Sequence, residues 1–371
     1  MTAAAQAPTE TIALLADLHL AGGDHDPFTD DERFAETIGG LVARASSPRL
    51  RVVLLGDTFD FPAVVVPGRR ATPAARPAEA TQKLERIVAA HPLVFAALRD
   101  LVRAGHRLDV VAGNHDMELL MPAVHSRLVA ALGGAPGAVQ VHPWLLYVPG
   151  LLYAEHGQQH HDFNRFPWLG TEQPRADGPL ALPAGSYVDA LAHLRQWYPQ
   201  ASAAALAGEA VRMAAGLVAA LARLSRAERH RDERERRLAA EPPAGLSAAA
   251  VLGIDRASAA TPTAIARRAA AMATGRLRPP GSGPAAPFMQ TAARAVHRVL
   301  EAEGCAVPFY AFGHTHVPAD VALADGAPAR YLNPGTWSSL TRAVPGGDRR
   351  CGVVLVESVP GAGPRAELLI P

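Results

Sequence analysis

Short apolar runs that end abruptly in polar residues recur along the chain. The runs at 11–16, 52–55 and 108–112 are rich in β-branched and aliphatic residues, which is typical of strands buried on both faces. Further strands are predicted at 139–148, 151–155, 309–312, 331–333, 353–357 and 366–370. Helical patterns occupy 29–45, 78–90 and 92–104, and Thr29 with Glu32 forms a predicted capping box. Strands that alternate with helices indicate an α/β fold.

The pattern changes between residues 158 and 307. A Pro/Gly-rich break at 279–287 separates an Ala/Leu/Arg-rich helical segment, 186–274, from one more predicted helix, 289–303. A polar loop comes first, with His160, His161, Asp162, Asn164 and Arg165. We therefore expect a core made of residues 1–157 and 308–371, and a mostly helical insertion at 158–307. Because the insertion leaves and re-enters the sheet pattern beside polar motifs, a lid is favoured over a remote helical decoration.

One apolar stretch of the insertion, 211–224, resembles a membrane helix. Glu209, Arg212 and Arg223 leave fewer than the ~18 uninterrupted apolar residues that a span needs, so an amphipathic bundle helix is predicted instead. The arginine-rich stretch 223–237 contains four acids and is interpreted as a solvated helix face, with a docking surface as the alternative.

Composition narrows the function classes. The 371 residues are 49% hydrophobic, and 36 Lys and Arg balance 35 Asp and Glu, so no charge footprint for nucleic acid is present. Lys83 is the only lysine and does not follow a glycine, which excludes a P-loop. Cys305 and Cys351 lie far apart, so neither a disulfide framework nor a thiolate metal site is expected. The N-terminus lacks the features of a signal peptide, and a cytoplasmic location without a transmembrane segment is the expectation.

Polar residues that can bind metal follow five of the predicted strands. Asp17 and His19 are alternate residues of an extended chain, so they can approach one ion together. For Asp57, a turn-forming or helix-capping role is the alternative, and Asp24, His25 and Asp26 are interpreted as a solvated turn. The candidate ligands are Asp17, His19, Asp57, Asn114, His156, His314 and His316. Carboxylates, imidazoles and an amide suit Mn, Fe or Zn, and seven side chains suit two ions that share a bridging carboxylate better than one tetrahedral ion.

The ordered motifs Asp-x-His, Gly-Asp-x-x-Asp, Gly-Asn-His-Asp, His-Gly and Gly-His-x-His resemble those of the calcineurin-like metallophosphoesterase superfamily, over residues 11–157 and 308–340. The resemblance implies two mixed β-sheets packed as a sandwich and flanked by helices. It also implies a role for His115, which would hydrogen-bond the phosphoryl group or protonate the leaving oxygen, with Asp116 orienting it. One metal would be held by Asp17, His19, Asp57 and His316, and the other by Asp57, Asn114, His156 and His314. The later Asn-Pro-Gly-Thr sequence is also similar, although a plain β-turn explains it equally well.

These motifs predict a hydrolase that cleaves a phosphoester or pyrophosphate bond. Two divalent ions, with Mn favoured, would neutralise the phosphoryl oxygens and lower the pKa of a bridging water, so that hydroxide attacks in line. The expected substrate is a phosphorylated small molecule or lipid, and nucleic acid is not expected. Two alternatives remain. One is a hydrolase resembling those that cleave UDP-diacylglucosamine, which have a helical insert but typically carry arginine where His115 stands. The other is a binding or scaffold protein that uses the insertion; the complete set of ligands favours the enzyme.

Overall fold

The computed structural model describes residues 10–23, 26–45, 50–67, 73, 76–134, 137–166, 168–169, 178–258, 286–323, 328–339, 351–359, 361 and 363–370. The first sheet consists of β1 (Glu10–Leu15), β2 (Leu50–Leu55), β3 (Arg107–Val111), β4 (Val139–His142), β10 (Val353–Val359) and β11 (Gly363–Leu369). Their order is β11-β10-β1-β2-β3-β4. Strands β1 to β4 are parallel, and β10 and β11 extend the sheet in antiparallel pairing.

The second sheet consists of β5 (Leu145–Val148), β6 (Leu152–Glu155), β7 (Phe309–Phe312), β8 (Ala319–Ala322) and β9 (Arg330–Asn333). Their order is β5-β6-β7-β9-β8. The three central strands are parallel, whereas the edge strands β5 and β8 pair antiparallel with their neighbours. The sequence pattern did not predict β8, which lacks a buried apolar run.

The two sheets pack face to face. Side chains alternate between the faces of a strand, so Ile12 and Leu14 of β1 share a buried cluster with Ala154 of β6 and Ala311 of β7. The intervening residues of β1, such as Ala13, point to the opposite face and pack against helices. The predicted sandwich of two mixed sheets flanked by helices is therefore confirmed.

Four helices cover the outer face of the first sheet: α1 (Asp31–Arg44), α2 (Pro77–Ala90), α3 (Pro92–Arg103) and α4 (Pro122–Leu132). The last three each begin at a proline, which fits the first helical position because its missing N–H would have no partner there. Apolar stripes on all four, including Phe34 and Leu98, join the main buried cluster. The polar ends of β1, β2 and β3 are left open between these helices and the second sheet.

Two local predictions differ from the structure. Asp30, not Thr29, is the N-cap of α1, and it makes no side-chain cap hydrogen bond, so the predicted capping box is wrong.

The predicted strand 139–148 is two strands, β4 and β5, which belong to different sheets. Pro143 interrupts the strand because proline has no N–H for the ladder, and Trp144 is buried at the crossing, where Nε1 donates to Glu155 Oε2 (2.9 Å).

The described part of the insertion contains α5 (Ala184–Trp197), α6 (Ala203–Arg229), α7 (Arg231–Ala240), α8 (Ala248–Ser258) and α9 (Ala286–Ala302). Residues 259–274 and 279–285, and the loop residues Asp24 and His25, lie outside the described residues. Helices α7 to α9 contribute Leu238, Val251 and Val296 to the main buried cluster. In contrast, α5 and α6 pack on each other in smaller clusters around Met213 and Ala220. The division into core and insertion stays a prediction.

Helix α6 has one packed side and one exposed side. Met213 and Ala220 face α5, whereas Val211 and Val218 are 70% and 66% exposed. Its segment Ala203–Ala227 is long and apolar enough to cross a membrane by length and composition alone. Within the described residues this is the one such segment, and by itself it is weak evidence for a membrane span.

Candidate metal centre

The candidate ligands lie where parallel strands of both sheets end. Asp17 and His19 follow β1, Asp57 follows β2, and Asn114 follows β3 in the first sheet. His156 follows β6, and His314 and His316 follow β7, in the second sheet. Because the carboxyl ends of these strands share one edge of the sandwich, seven side chains from distant parts of the sequence meet there.

Six of the seven side chains form two compact groups. Asp17, His19 and His316 form one group, and Asp57, His156 and His314 form the other, with the ligand atoms of each group within 4.8 Å of one another. His19 and Asp57 also form a third such group with His115. The His/Asp clusters could therefore hold divalent metal ions, with His115 close enough to take part.

Asp57 lies between the two main groups. Its Oδ1 accepts a hydrogen bond from the backbone N of His115 (2.8 Å), which fixes the carboxylate plane. Its Oδ2 lies 3.1 Å from His156 Nε2 in one group and 3.8 Å from His19 Nε2 in the other. One carboxylate oxygen thus faces both groups, as a bridging ligand would have to do.

Hydrogen bonds to the backbone aim the other ligands. His156 Nδ1 lies 3.1 Å from Leu55 O, which leaves Nε2 directed towards Asp57. Asp17 Oδ2 accepts from the backbone N of His314 (3.0 Å), while Oδ1 lies 3.2 Å from His316 Nε2. His19 Nε2 and His316 Nε2 face each other at 3.2 Å. Such outer contacts fix which nitrogen of each ring points into the site.

Asn114 supplies an independent indication that the site takes a ligand. Its Oδ1 is buried and has no hydrogen-bond partner among the described residues. A buried amide oxygen without a partner costs about 1–3 kcal/mol, so such groups are rarely left unsatisfied. Together with the carboxylates and imidazoles, the orphaned oxygen fits a hard or borderline divalent cation.

The backbone at the site is strained. Asp17, His19, Asp57, His314 and His316 have φ values of 53°, 55°, 48°, 68° and 59°. These are five of the seven non-glycine residues with positive φ in the described part of the chain, and each is a candidate ligand. Left-handed backbone is disfavoured for residues with a Cβ and clusters at functional sites.

Two glycines make room for the ligands. A Cβ on Gly56 would lie 2.3 Å from Cγ of His156, and a Cβ on Gly113 would lie 2.2 Å from Oδ1 of Asp57. Gly56 also has a φ of 79°, which residues with side chains rarely adopt. The absence of a Cβ at Gly56 and Gly113 therefore leaves the space that the side chains of His156 and Asp57 occupy.

The buried charges influence one another strongly. Burial opposes charge on His156, but the carboxylates of Asp57 and Asp17 outweigh it and raise the pKa of His156 to about 9. Burial and the neighbouring charge of His156 hold the pKa of His314 well below its usual range. Burial would raise the pKa of Asp57, yet His156 and His115 hold it well below the usual range. A cation that binds here must displace the proton of His156, so its affinity should fall as the pH falls.

Asp60, rather than Asp116, is the carboxylate beside His115. Asp60 Oδ1 lies 3.1 Å from His115 Nδ1, and Asp60 Oδ2 lies 3.2 Å from His19 Nδ1. Asp116 instead accepts from the backbone N–H groups of Gly113 (2.6 Å) and Thr58 (2.8 Å), and the predicted contact with His115 is absent among the described residues. Burial and Asp57 raise the pKa of Asp116 to about 7, although the backbone N–H groups of Gly113 and Phe59 oppose this shift.

A buried lysine supports the turn that carries Asp60. Lys83 is 2% exposed, and its Nζ donates to the backbone O of Phe61 (3.0 Å), the residue after Asp60. Phe61 N in turn donates to His115 O (3.2 Å). The sequence offered no sign of this role, because a lone lysine in a helix is usually at the surface.

The insertion also reaches the site. Asn164 Nδ2 lies 3.3 Å from His314 Nε2, and Asp189 Oδ2 of α5 lies 3.8 Å from His115 Nε2. Burial raises the pKa of Asp189, and the positive charge of His115 opposes this shift. Asp189 has no motif around it, so only the packing of α5 identifies it. The polar loop containing Asn164 was noted from the sequence, but without a role.

The Asn-Pro-Gly-Thr turn is more than a connection. Thr336 Oγ1 donates to Asp17 O (2.7 Å), and Asn333 Nδ2 donates to Gly313 O (3.2 Å). Gly335 N donates to Asn333 Oδ1 (2.8 Å), which holds the asparagine in this position. The turn therefore ties the loop after β1 to the loop after β7.

Comparisons with known proteins assign no family to the chain. No protein-family model and no curated protein matches the chain. Among solved structures, the chain is similar to the phosphopantetheinyl hydrolase from Mycobacterium tuberculosis, with 14% identity over 91% of this chain and 97% of that chain and a TM-score of 0.26. At this identity and TM-score, the similarity assigns neither an activity nor site residues to this chain.

Proposed function

We propose that the chain is a phosphoesterase that works with two divalent metal ions, with Mn favoured. The observation that carries the proposal is the convergence of Asp, His and Asn side chains from strand ends of both sheets, five of them on left-handed backbone. Strain of this kind persists only where the surroundings enforce it, and it is expected where side chains are aimed at a common target.

The two compact groups support six of the seven ligands, and the unpartnered Oδ1 of Asn114 supports the seventh. Asp17, His19 and His316 would hold one ion, and His156, His314 and Asn114 the other, with Asp57 shared. Bound ions would supply neutralisation of the phosphoryl oxygens and a lowered pKa for a water molecule. The donor set contains no thiolate, which suits such catalytic ions and not a structural zinc site.

His115 is the proposed acid or positioning group. Asp60 holds its Nδ1, so its Nε2 faces the cleft towards Asp189. From there the imidazolium would donate a hydrogen bond to a phosphoryl oxygen or a proton to the leaving oxygen. Two carboxylates, Asp60 and Asp57, raise the pKa of His115 well above its usual range, although burial opposes the shift.

The decisive experiment combines metal analysis with turnover. Protein loaded with Mn²⁺ should hydrolyse p-nitrophenyl phosphate or bis-p-nitrophenyl phosphate, and Asp57→Asn should lose metal and activity together. Asp100→Asn, which changes an exposed carboxylate remote from the site, should behave as wild type. His115→Ala should keep its metal and lose roughly 10²–10⁴-fold in rate, with a smaller loss for acidic leaving groups.

Two outcomes would contradict the proposal. Retention of two ions per chain in Asp57→Asn would rule out the bridging role. Inactivity of the metal-loaded wild type on monoesters, diesters, sugar nucleotides and phospholipids would instead favour the scaffold alternative.

A further inference from the structure

Asp189 brings a negative charge from the insertion to the mouth of the site. Its Oδ2 lies 3.8 Å from His115 Nε2, which is too long for a hydrogen bond between them. About a third of the side chain, 36%, remains exposed, so the carboxylate faces open space as well as His115. A hydrogen-bond donor from a bound molecule therefore has access to it.

The position of Asp189 is fixed by the packing of α5. At the start of the helix, Gly185 N donates to Phe163 O (2.7 Å), and a Cβ on Gly185 would lie 1.8 Å from Asn164 Oδ1. On the outer side, a Cβ on Gly216 of α6 would lie 2.2 Å from the Tyr187 ring. The start of α5 is thus held by Phe163 and Asn164 at Gly185, and the ring of Tyr187 is held against the backbone of α6, both within the turn before Asp189.

The inner side of α5 is equally constrained. Ala190 is buried beside Asp189, in a cluster against which Val65 packs. Val65 follows the short 3-10 turn Phe61–Ala63, which begins at Asp60. The same local structure therefore positions Asp60 on one side of His115 and Asp189 on the other.

The charges around His115 are unbalanced. Asp57, Asp60 and Asp189 surround it, and among the described residues no arginine or lysine forms an ion pair with Asp189, although His193 of α5 also acts on Asp189 electrostatically. Because Asp189 is partly exposed to solvent, its carboxylate should change the affinity for a cation relative to that for an anion by roughly threefold to tenfold. In the proposed reaction, a leaving group on the His115 side would lie close to the carboxylate of Asp189.

We propose that Asp189 selects substrates whose leaving group carries an ammonium or a neutral hydrogen-bond donor near the ester oxygen, and disfavours anionic leaving groups. This inference rests on the proposed function, because His115 marks the leaving-group side only in that reaction. It favours esters of amino alcohols or polyols over pyrophosphates, whose leaving group is itself a phosphate.

Three phosphonates of matched length test the selection without any turnover: 3-aminopropylphosphonate, 3-hydroxypropylphosphonate and 2-carboxyethylphosphonate. Calorimetry on Mn²⁺-loaded protein gives Kd for each. The Kd of the carboxy compound divided by the Kd of the amino compound should be roughly threefold to tenfold larger in the wild type than in Asp189→Asn. Asp232→Asn, an exposed acid on α7, should keep the wild-type ratio.

The corresponding esters, O-phosphoethanolamine, 2-hydroxyethyl phosphate and 2-phosphoglycolate, give the same comparison in kcat/KM. An unchanged ratio in Asp189→Asn, or an equal loss for all three compounds, would overturn the selection. The equal loss would make Asp189 a positioning residue for His115. If no ester is hydrolysed but the phosphonate ratio shifts as expected, the proposed function and the selection of leaving groups both fail, and only the preference of Asp189 for cationic ligands is supported. Asp189→Ser provides a second variant should Asp189→Asn fold poorly.

Discussion

Five candidate ligands combine a useful side chain with an unfavourable backbone. For a residue with a Cβ, left-handed φ costs roughly 1–2 kcal/mol, which the surrounding sheets and turns must offset. Asp17, for example, is held by Thr336 and by the backbone of His314. The strain is therefore distributed over loops from both sheets.

This strain predicts that glycine is more stabilising than alanine at position 316, the reverse of the order in a helix. Its φ of 59° suits glycine, so in metal-free protein His316→Gly should be more stable than His316→Ala by about 1 kcal/mol. Urea unfolding in the presence of EDTA measures the difference. At His125, an exposed position inside α4, the same two substitutions should show the ordinary order, with alanine more stable by about 1 kcal/mol. Alanine above glycine at both positions would contradict the strain argument.

The sequence showed which residues could bind metal but not how they are held. The order of the motifs singled out Asp17, His19 and Asp57. The extended backbone expected at Asp17 and His19 is wrong, because β1 ends at Leu15 and both residues have positive φ. Asp and His adopt left-handed backbone more often than most residues with a Cβ, but this preference is too weak to predict the conformation at a given position. The choice between Asp60 and Asp116 as the partner of His115 depends on the direction of each side chain after a turn, and the motif does not specify it.

At the scale of elements, the insertion contains two kinds of helix. Helix α8 buries Val251 and Ile254 completely in the main cluster, whereas α5 and α6 bury their apolar sides mostly against each other. Arg223, which lies within α6, is close to the start of α5, because its Nη2 donates to Leu182 O (3.2 Å). Residues 184–222, which end within α6, can therefore be replaced by a short linker.

We predict that replacing residues 184–222 with a short Gly/Ser linker leaves metal content near wild type and hydrolysis of p-nitrophenyl esters within about tenfold. Small esters need few remote contacts, whereas a physiological substrate should lose more. Circular dichroism, metal analysis and kinetics on both substrate classes test this. Deletion of α8 is the matched control and should prevent folding. Loss of the fold in the hairpin deletion would place α5 and α6 in the core.

A second element-scale prediction concerns the junction between α2 and α3. His91 Nε2 lies 2.8 Å from Asp26 Oδ2, and Nδ1 lies 3.1 Å from Asp31 Oδ1. Burial would lower the pKa of His91, but the two carboxylates outweigh it and raise the pKa. A raised folded-state pKa stabilises the fold fully below about pH 6.5, the unfolded value, and this stabilisation is lost as the pH rises through the folded-state pKa.

The free energy of unfolding should therefore differ more between wild type and His91→Gln at pH 6 than at pH 9. Urea titrations with EDTA present at both pH values give the comparison. The metal-centre residues titrate in both proteins, so their effect cancels when the free energy of unfolding of His91→Gln is subtracted from that of the wild type. A difference that does not depend on pH would show that His91 acts by packing against Phe28 alone.

At the scale of the whole molecule, the candidate metal centre joins the two sheets. One sheet supplies Asp17, Asp57 and Asn114, and the other supplies His156, His314 and His316. An ion that binds only the folded state stabilises it by about 2.7 kcal/mol at a hundredfold excess over Kd. We predict that EDTA lowers the Tm by a few degrees and that Mn²⁺ restores it. Calorimetry checks this, and Asp57→Asn should show little response to either addition.

The α/β class was predictable because buried strands alternate with helices along the sequence, whereas the sandwich of two mixed sheets was expected only from the resemblance of the five motifs. Pro143 marked a possible break within 139–148, but the assignment of the two halves to different sheets was not predictable, since it depends on tertiary packing around Trp144. Contacts from α5 and α6 were also beyond the sequence, because an apolar helix face looks the same whatever it covers. The cytoplasmic location and the number and identity of the ions stay predictions.

The single lysine has a practical consequence for experiments in solution. Amine-reactive reagents modify exposed, unprotonated amines, and Lys83 is buried beneath the turn that carries Asp60. Acylation of its Nζ therefore requires this turn to move away from His115. Mass spectrometry of the adduct at Lys83 would give the rate of acylation, and this rate would report how often the turn moves away from the site.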